Sequence, residues 1–116
     1  MFFDLPRRIA HRARSNGQLM RWGRMLAITL VVLGGLDLFS TNAALAAGHI
    51  EGNPFVRSLQ AAMGPDWAFP KMAFHLALAY LVLWMPSKRM LATGTVVSAG
   101  YMLLVLNNFY LAAVPF

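Results

Sequence analysis

Three long apolar runs dominate the pattern along the chain, at residues 25–47, 67–86 and 91–114. Each is long enough to cross a hydrocarbon core, which takes roughly 20 helical residues at about 1.5 Å rise apiece. The apolar positions run continuously instead of alternating, and three strands could not close a barrel to satisfy their edges in lipid. The runs therefore predict helices, and the fold class expected is all-α, an integral membrane three-helix bundle.

Two shorter segments add elements to this frame. Asn53 and Pro54 supply a helix cap and a pre-organised first residue, and Gly64-Pro65 supplies a stop, so residues 54–63 predict a short helix in the outer connection. Phe55, Leu59, Ala62 and Met63 recur at helical spacing, with Arg57, Ser58 and Gln60 mostly on other faces, the pattern of a helix lying flat in the membrane interface. Asp66 is expected to cap the second span, with Pro70 early enough in it to cost little hydrogen bonding. Residues 1–24 read as a basic amphipathic arm. Asp4, Leu5 and Pro6 open a helix that Asn16-Gly17 breaks, with Arg7, Arg8, His11 and Arg12 on one broad face and Phe2, Phe3, Leu5 and Ile9 placed to touch lipid. The three-span domain occupies residues 25–116.

Composition moves the solvent from water to lipid: 59% of residues are hydrophobic and 12% charged, where a soluble domain has about a quarter charged. The net charge of +6 would raise the question of nucleic acid in a soluble chain. Here the basic residues gather before the first run (Arg7, Arg8, Arg12, Arg14, Arg21, Arg24) and between the last two (Lys88, Arg89), as topology signals do. Nucleic acid is accordingly excluded as a partner. The positive-inside rule places the N-terminus in the cytoplasm and the C-terminus outside a bacterial inner membrane. Arg7, Arg8, Arg12 and Arg14 are expected at the lipid surface, each adding on the order of 1 kcal/mol of attraction to acidic lipid. Trp22, Trp67 and Trp84 fall at the span ends, where an interfacial belt belongs. The basic leader, apolar run and Ala44-Leu45-Ala46 resemble a signal peptide. The run exceeds the roughly 7–15 apolar residues of such leaders and contains Asp37, so it is expected to remain as a span. The absence of Cys removes disulfide and thiolate chemistry.

An ionisable group at membrane depth costs several kcal/mol unless paired, which makes it a site candidate by default. Asp37 belongs at helical spacing to a stripe of Ala27, Leu30, Gly34, Thr41, Ala44 and Gly48, mostly small residues that let another backbone approach. At about 1.5 Å per residue, Asp37 lies roughly 15 Å inward of Ala47, His75 roughly 12 Å inward of Trp67 and Asn107 roughly 10 Å inward of Val114. Lys71 sits one turn outward of His75, and Glu51 and Asn53 hang over the same slab. Asp37 is expected to pair with Lys71 or His75, and Asn107 and Asn108 to hydrogen-bond across helices. The third span carries two adjacent faces, Gly94, Ser98, Tyr101, Val105 and Asn108 on one, and Gly100, Leu103, Asn107 and Tyr110 on the other. The cluster reads as packing glue, as a polar pocket able to hold a cation, proton or small head group, or as a contact with another subunit. One His and two carboxylates at unrelated spacing do not make a metal site.

The order Asp37, Thr41, Gly48, Glu51-Gly52-Asn53-Pro54, Lys71 resembles a family of small bacterial membrane proteins classified as a domain of unknown function. The likeness covers roughly residues 30–108 and leaves out the Arg-rich leader. It implies a three- or four-helix unit and supplies no chemistry.

Catalytic signatures such as GxSxG, HExxH or a phosphate-binding loop are missing, and no cofactor is identifiable. Three helices have little room for a water-filled path, which argues against transport by a monomer. The leading expectation is an accessory or structural subunit of a larger membrane assembly, docked through its small-residue seams or as a homo-oligomer. The alternative is a ligand- or proton-linked membrane protein using the outer polar pocket, and the third is a membrane-embedded enzyme.

Overall fold

The computed structural model describes residues 4–114. Phe2 and Phe3 of the arm lie outside the described residues. Five helices follow one another: α1 (Asp4–Arg14), α2 (Gly17–Ala46), α3 (Pro54–Met63), α4 (Ala68–Trp84) and α5 (Lys88–Ala113), with a 3-10 turn, Gly64–Trp67, leading into α4. No strand occurs among the described residues. Three stretches are long and apolar enough to cross a membrane: Gly17–Ala46, Pro54–Trp84 and Lys88–Ala113.

Local chemistry sets the helix ends. Asn16 takes an extended backbone, and its Oδ1 accepts the N–H groups of Gln18 and Leu19 at 3.0 and 3.1 Å. The helix thus begins at Gly17, well before the apolar run at residue 25, because Gln18, Arg21 and Arg24 are good helix formers that need no lipid. Asn53 Oδ1 accepts the Phe55 N–H at 2.9 Å, Pro54 follows it, and Gly64 leaves α3 at φ 59°, so this helix has the bounds its capping residues predict. Ser87 Oγ accepts the Met90 N–H at 3.2 Å and starts α5. Asp66, in contrast, does not cap α4. It sits inside the 3-10 turn, whose backbone runs on into α4 without a side-chain cap.

The body measures 53 × 27 × 16 Å, a slab with α2 in the middle. Both α4 and α5 pack along α2 and touch each other only sparingly. The core sits toward the short α4–α5 turn, where Leu26, Leu30, Val82 and Leu91 meet with Leu19, Leu78 and Met90 around them. Gly23 lets Pro86 of that turn approach, since a Cβ there would stand 3.1 Å from the Pro86 Cβ. Gly94 admits Leu26, and Gly34 admits the ring of His75, where added Cβ atoms would come within 2.6 and 2.7 Å. The stripe on α2 is buried from Ala27 through Leu30, Gly34, Asp37 and Thr41 to Ala44, whereas Gly48 lies past the helix end at φ 96°. On α5, Ser98 and Val105 are buried toward the bundle, while Leu103 and Tyr110 are exposed.

The periphery is apolar: Ile28, Phe39, Tyr80, Val96 and Leu103 are each more than half exposed, a surface suited to lipid rather than water. At the arginine-rich end α1 folds back on the bundle. It buries Ala10 and Ala13 and leaves Leu5, Ile9, Arg7, Arg8, Arg12 and Arg14 exposed, so its inward face is the alanine face. Trp67 is buried within the protein, not displayed in a belt.

Candidate functional site

Asp37 projects from mid-α2 and is almost fully buried. Its Oδ2 lies 2.7 Å from Nζ of Lys71, in the first turns of α4. The same ammonium stands 5.3 Å above the Trp67 ring, so Lys71 is held by a carboxylate and an aromatic face together. Of the two expected partners, the structure joins Lys71 to Asp37 and leaves His75 out. His75 is fully buried, its ring is 4.6 Å from that of Tyr101, and neither ring nitrogen has a hydrogen-bond partner among the described residues. Gly34 makes room for that ring, which explains why an imidazole at the right depth is pointed away from the carboxylate's hydrogen-bonding reach: depth along a helix does not fix azimuth.

The other side of the α2 stripe meets α5. Asn108 Nδ2 donates to Ser40 Oγ at 3.3 Å and to Thr41 Oγ1 at 3.2 Å, and Ser40 Oγ donates to the Asp37 carbonyl at 3.2 Å. Asn108 thus bonds across helices as expected. Asn107 makes no such bond among the described residues; it is exposed on the adjacent face. Ser40 was absent from the sequence candidates, although its i+3 spacing from Asp37 places it on the same face.

These residues surround a cleft of about 890 Å³ between α4 and α5, behind which α2 forms the wall. Asp37, Thr41, Glu51, Asn53, Lys71, Asn107 and Asn108 all line it. His75 does not. The remaining lining is largely apolar and aromatic, with Phe55, Val56 and Leu59 of α3, Phe74 of α4, and Val97, Gly100, Tyr101 and Leu104 of α5. Phe55, expected on the membrane-facing side of a flat helix, is one of the cleft residues, and Val56 is the buried residue of α3. Glu51 stands at the α3 end, half-buried, with Oε1 accepting the Asn53 N–H at 3.1 Å. At the same end His49 Nε2 donates to the Val114 carbonyl at 2.9 Å, tying the α2–α3 connection to the end of α5. Tyr101, Phe55 and Phe74 were not singled out as site residues by the sequence, where an aromatic at helical spacing has the appearance of ordinary core.

A family model of a domain of unknown function, DUF5658, matches residues 28–114. The chain belongs to this family. Every residue that lines the cleft falls inside the DUF5658 domain, whereas α1 and the arginine-rich start of α2 lie before it. No curated protein and no solved structure matches the chain.

Chemically, the DUF5658 cleft presents one neutralised ion pair, one carboxylate at its mouth, amide and hydroxyl groups along one wall, and apolar walls elsewhere. Its size is that of sites which hold small organic ligands, about 300–1,000 Å³. Among the described residues no group of three or more His, Asp or Glu is placed to hold a metal ion.

Proposed function

We propose that this DUF5658 protein is an integral membrane protein that binds a small amphiphilic molecule in the cleft, taken sideways from the surrounding lipid. The observation that carries this reading is the cleft itself. Polar residues from α2, α4, α5 and the α2–α3 connection converge on one end of a volume whose flanks are apolar and which α4 and α5 do not close. Such a shape suits a polar head at the α3 end and a hydrocarbon tail between the helices.

The arginine-rich end is proposed to face the cytoplasm of a bacterium, since Arg7, Arg8, Arg12, Arg14, Arg21, Arg24, Lys88 and Arg89 gather there, against Arg57 alone beside Glu51 and Asp66 at the α3 end. The cleft then opens into the outer half of the inner membrane. On the cytoplasmic face, α1 lies along the surface with its arginines toward acidic head groups.

The accessory-subunit reading loses part of one support, because two seam glycines are occupied within the chain, by His75 on Gly34 and Leu26 on Gly94, while the Gly100, Leu103, Asn107 and Tyr110 face of α5 stays open. What favours it still is the same gap between α4 and α5, which a helix of another subunit would also fill. Native mass spectrometry of the chain extracted from membranes in a mild detergent separates the two. The ligand reading predicts one small non-detergent molecule retained per chain; a bare chain, or one in fixed stoichiometry with another protein, would contradict it.

A further inference from the structure

The charges around the cleft narrow what its occupant carries; this step rests on the cleft reading above. Asp37 and Lys71 cancel one another at 2.7 Å. Glu51 remains, and among the described residues no Lys, Arg or His is within ion-pair distance of it. One of its oxygens takes the Asn53 N–H and the other has no partner among the described residues. The cleft lining as a whole therefore carries one uncompensated negative charge. Phe55, Phe74 and Tyr101 add ring faces, whose quadrupoles attract cations. An anionic head group would have to draw Lys71 off Asp37, stranding a carboxylate that is 4% exposed at mid-span. A protonated amine needs no such exchange: it donates to Glu51 at the mouth while its hydrocarbon lies along Val97 and Leu104.

We propose that the cleft selects amphiphiles bearing a primary ammonium group, with Glu51 as its counter-charge. Two sources share that chemistry, a free long-chain amine and the ethanolamine head of a phospholipid.

The test uses the full chain in maltoside micelles near neutral pH, about three units below the usual amine pKa, with chain-matched dodecylamine, dodecanol and dodecanoate, and binding read by native mass spectrometry and thermal shift. Dodecylamine should bind about tenfold tighter than dodecanol, the value of one charge-assisted hydrogen bond at a partly exposed site. Glu51→Gln keeps an acceptor for the Asn53 N–H, and should reduce that preference to less than about twofold, chiefly by weakening dodecylamine. The net charge of +6 disfavours ammonium at the surface generally, so a preference for the amine cannot come from bulk attraction. Lysophosphatidylethanolamine binding as tightly as dodecylamine, with the same loss in Glu51→Gln, assigns the phospholipid source; weaker binding assigns the free amine. Equal binding of amine and alcohol, preference for dodecanoate, or an amine preference that survives Glu51→Gln would overturn the ammonium inference while leaving the cleft reading intact. If none of the three binds the parent chain better than a Gly100→Phe variant with the cleft filled, both fall together.

Discussion

Breaking the Asp37–Lys71 pair from either side should give unequal losses, and the inequality follows from where the two residues sit. Asp37 is mid-helix, its side chain 4% exposed at the inner wall of the cleft; Lys71 is near the start of α4, 15% exposed, on a flexible four-carbon stem. In Lys71→Met the carboxylate is stranded, and the expected loss is about 3 kcal/mol, the lower end for an orphaned buried charge. In Asp37→Asn the ammonium can swing toward the polar rim while keeping Trp67, which limits the loss to about 1.5 kcal/mol. The double variant leaves no charge unpaired and should lose about 1.5 kcal/mol rather than the additive sum of about 4.5, a coupling of about 3 kcal/mol. Equilibrium unfolding in mixed micelles, repeated at low and high salt, measures all four corners. The pair is largely buried, so added salt should change the coupling little. Additive losses would refute the pairing, and a larger loss for Asp37→Asn than for Lys71→Met would refute the argument from depth.

Gly34→Ala should destabilise by about 1–3 kcal/mol, because its Cβ would stand 2.7 Å from His75 Cγ. Gly100→Ala, with nothing within 4 Å, should gain up to about 1 kcal/mol from helix propensity, and the same unfolding assay compares the two. His75→Leu should be neutral or stabilising, since no hydrogen bond to its ring is lost among the described residues; a loss above about 1 kcal/mol would reveal an interaction of the imidazole that this structure does not contain. For orientation, reporter fusions at Gly52 and Ser87 should report opposite compartments, and neutralising Arg7, Arg8 and Arg12 should weaken attachment of a peptide spanning residues 1–23 to acidic vesicles, by roughly 1 kcal/mol per arginine at low salt. Reporters on the same side, or equal attachment to neutral vesicles, would reject these two expectations.

What could be read in advance divides along a physical line. Helices whose ends are set by local chemistry were legible: Asn53-Pro54 and Gly64 bound α3 because caps and positive φ act within a few residues. The start of α2 was not, because hydropathy marks where lipid-compatible sequence begins, and the helix itself starts at the Asn16 cap about two turns earlier. The polar slab of Asp37, Lys71, His75 and Asn107 emerged from rise per residue alone, and all of these but His75 line one cleft. Choosing Lys71 over His75 needed the angular position of each side chain, which depends on how Gly34 lets α4 settle on α2. The cleft was invisible for the same reason. It exists because α4 and α5 each follow α2 and barely touch one another, a matter of packing between elements distant in sequence.

The claim that this cleft is a binding site is tested most directly by filling it without disturbing the fold. Gly100 and Gly35 both have open space where a Cβ would go, yet Gly100 lines the cleft and Gly35 does not. Native mass spectra of Gly100→Phe and Gly35→Phe, extracted side by side with the parent chain, should show the retained small molecule lost from the first and kept by the second, with both variants unfolding like the parent. Retention by both, or loss from both, would contradict binding in the cleft.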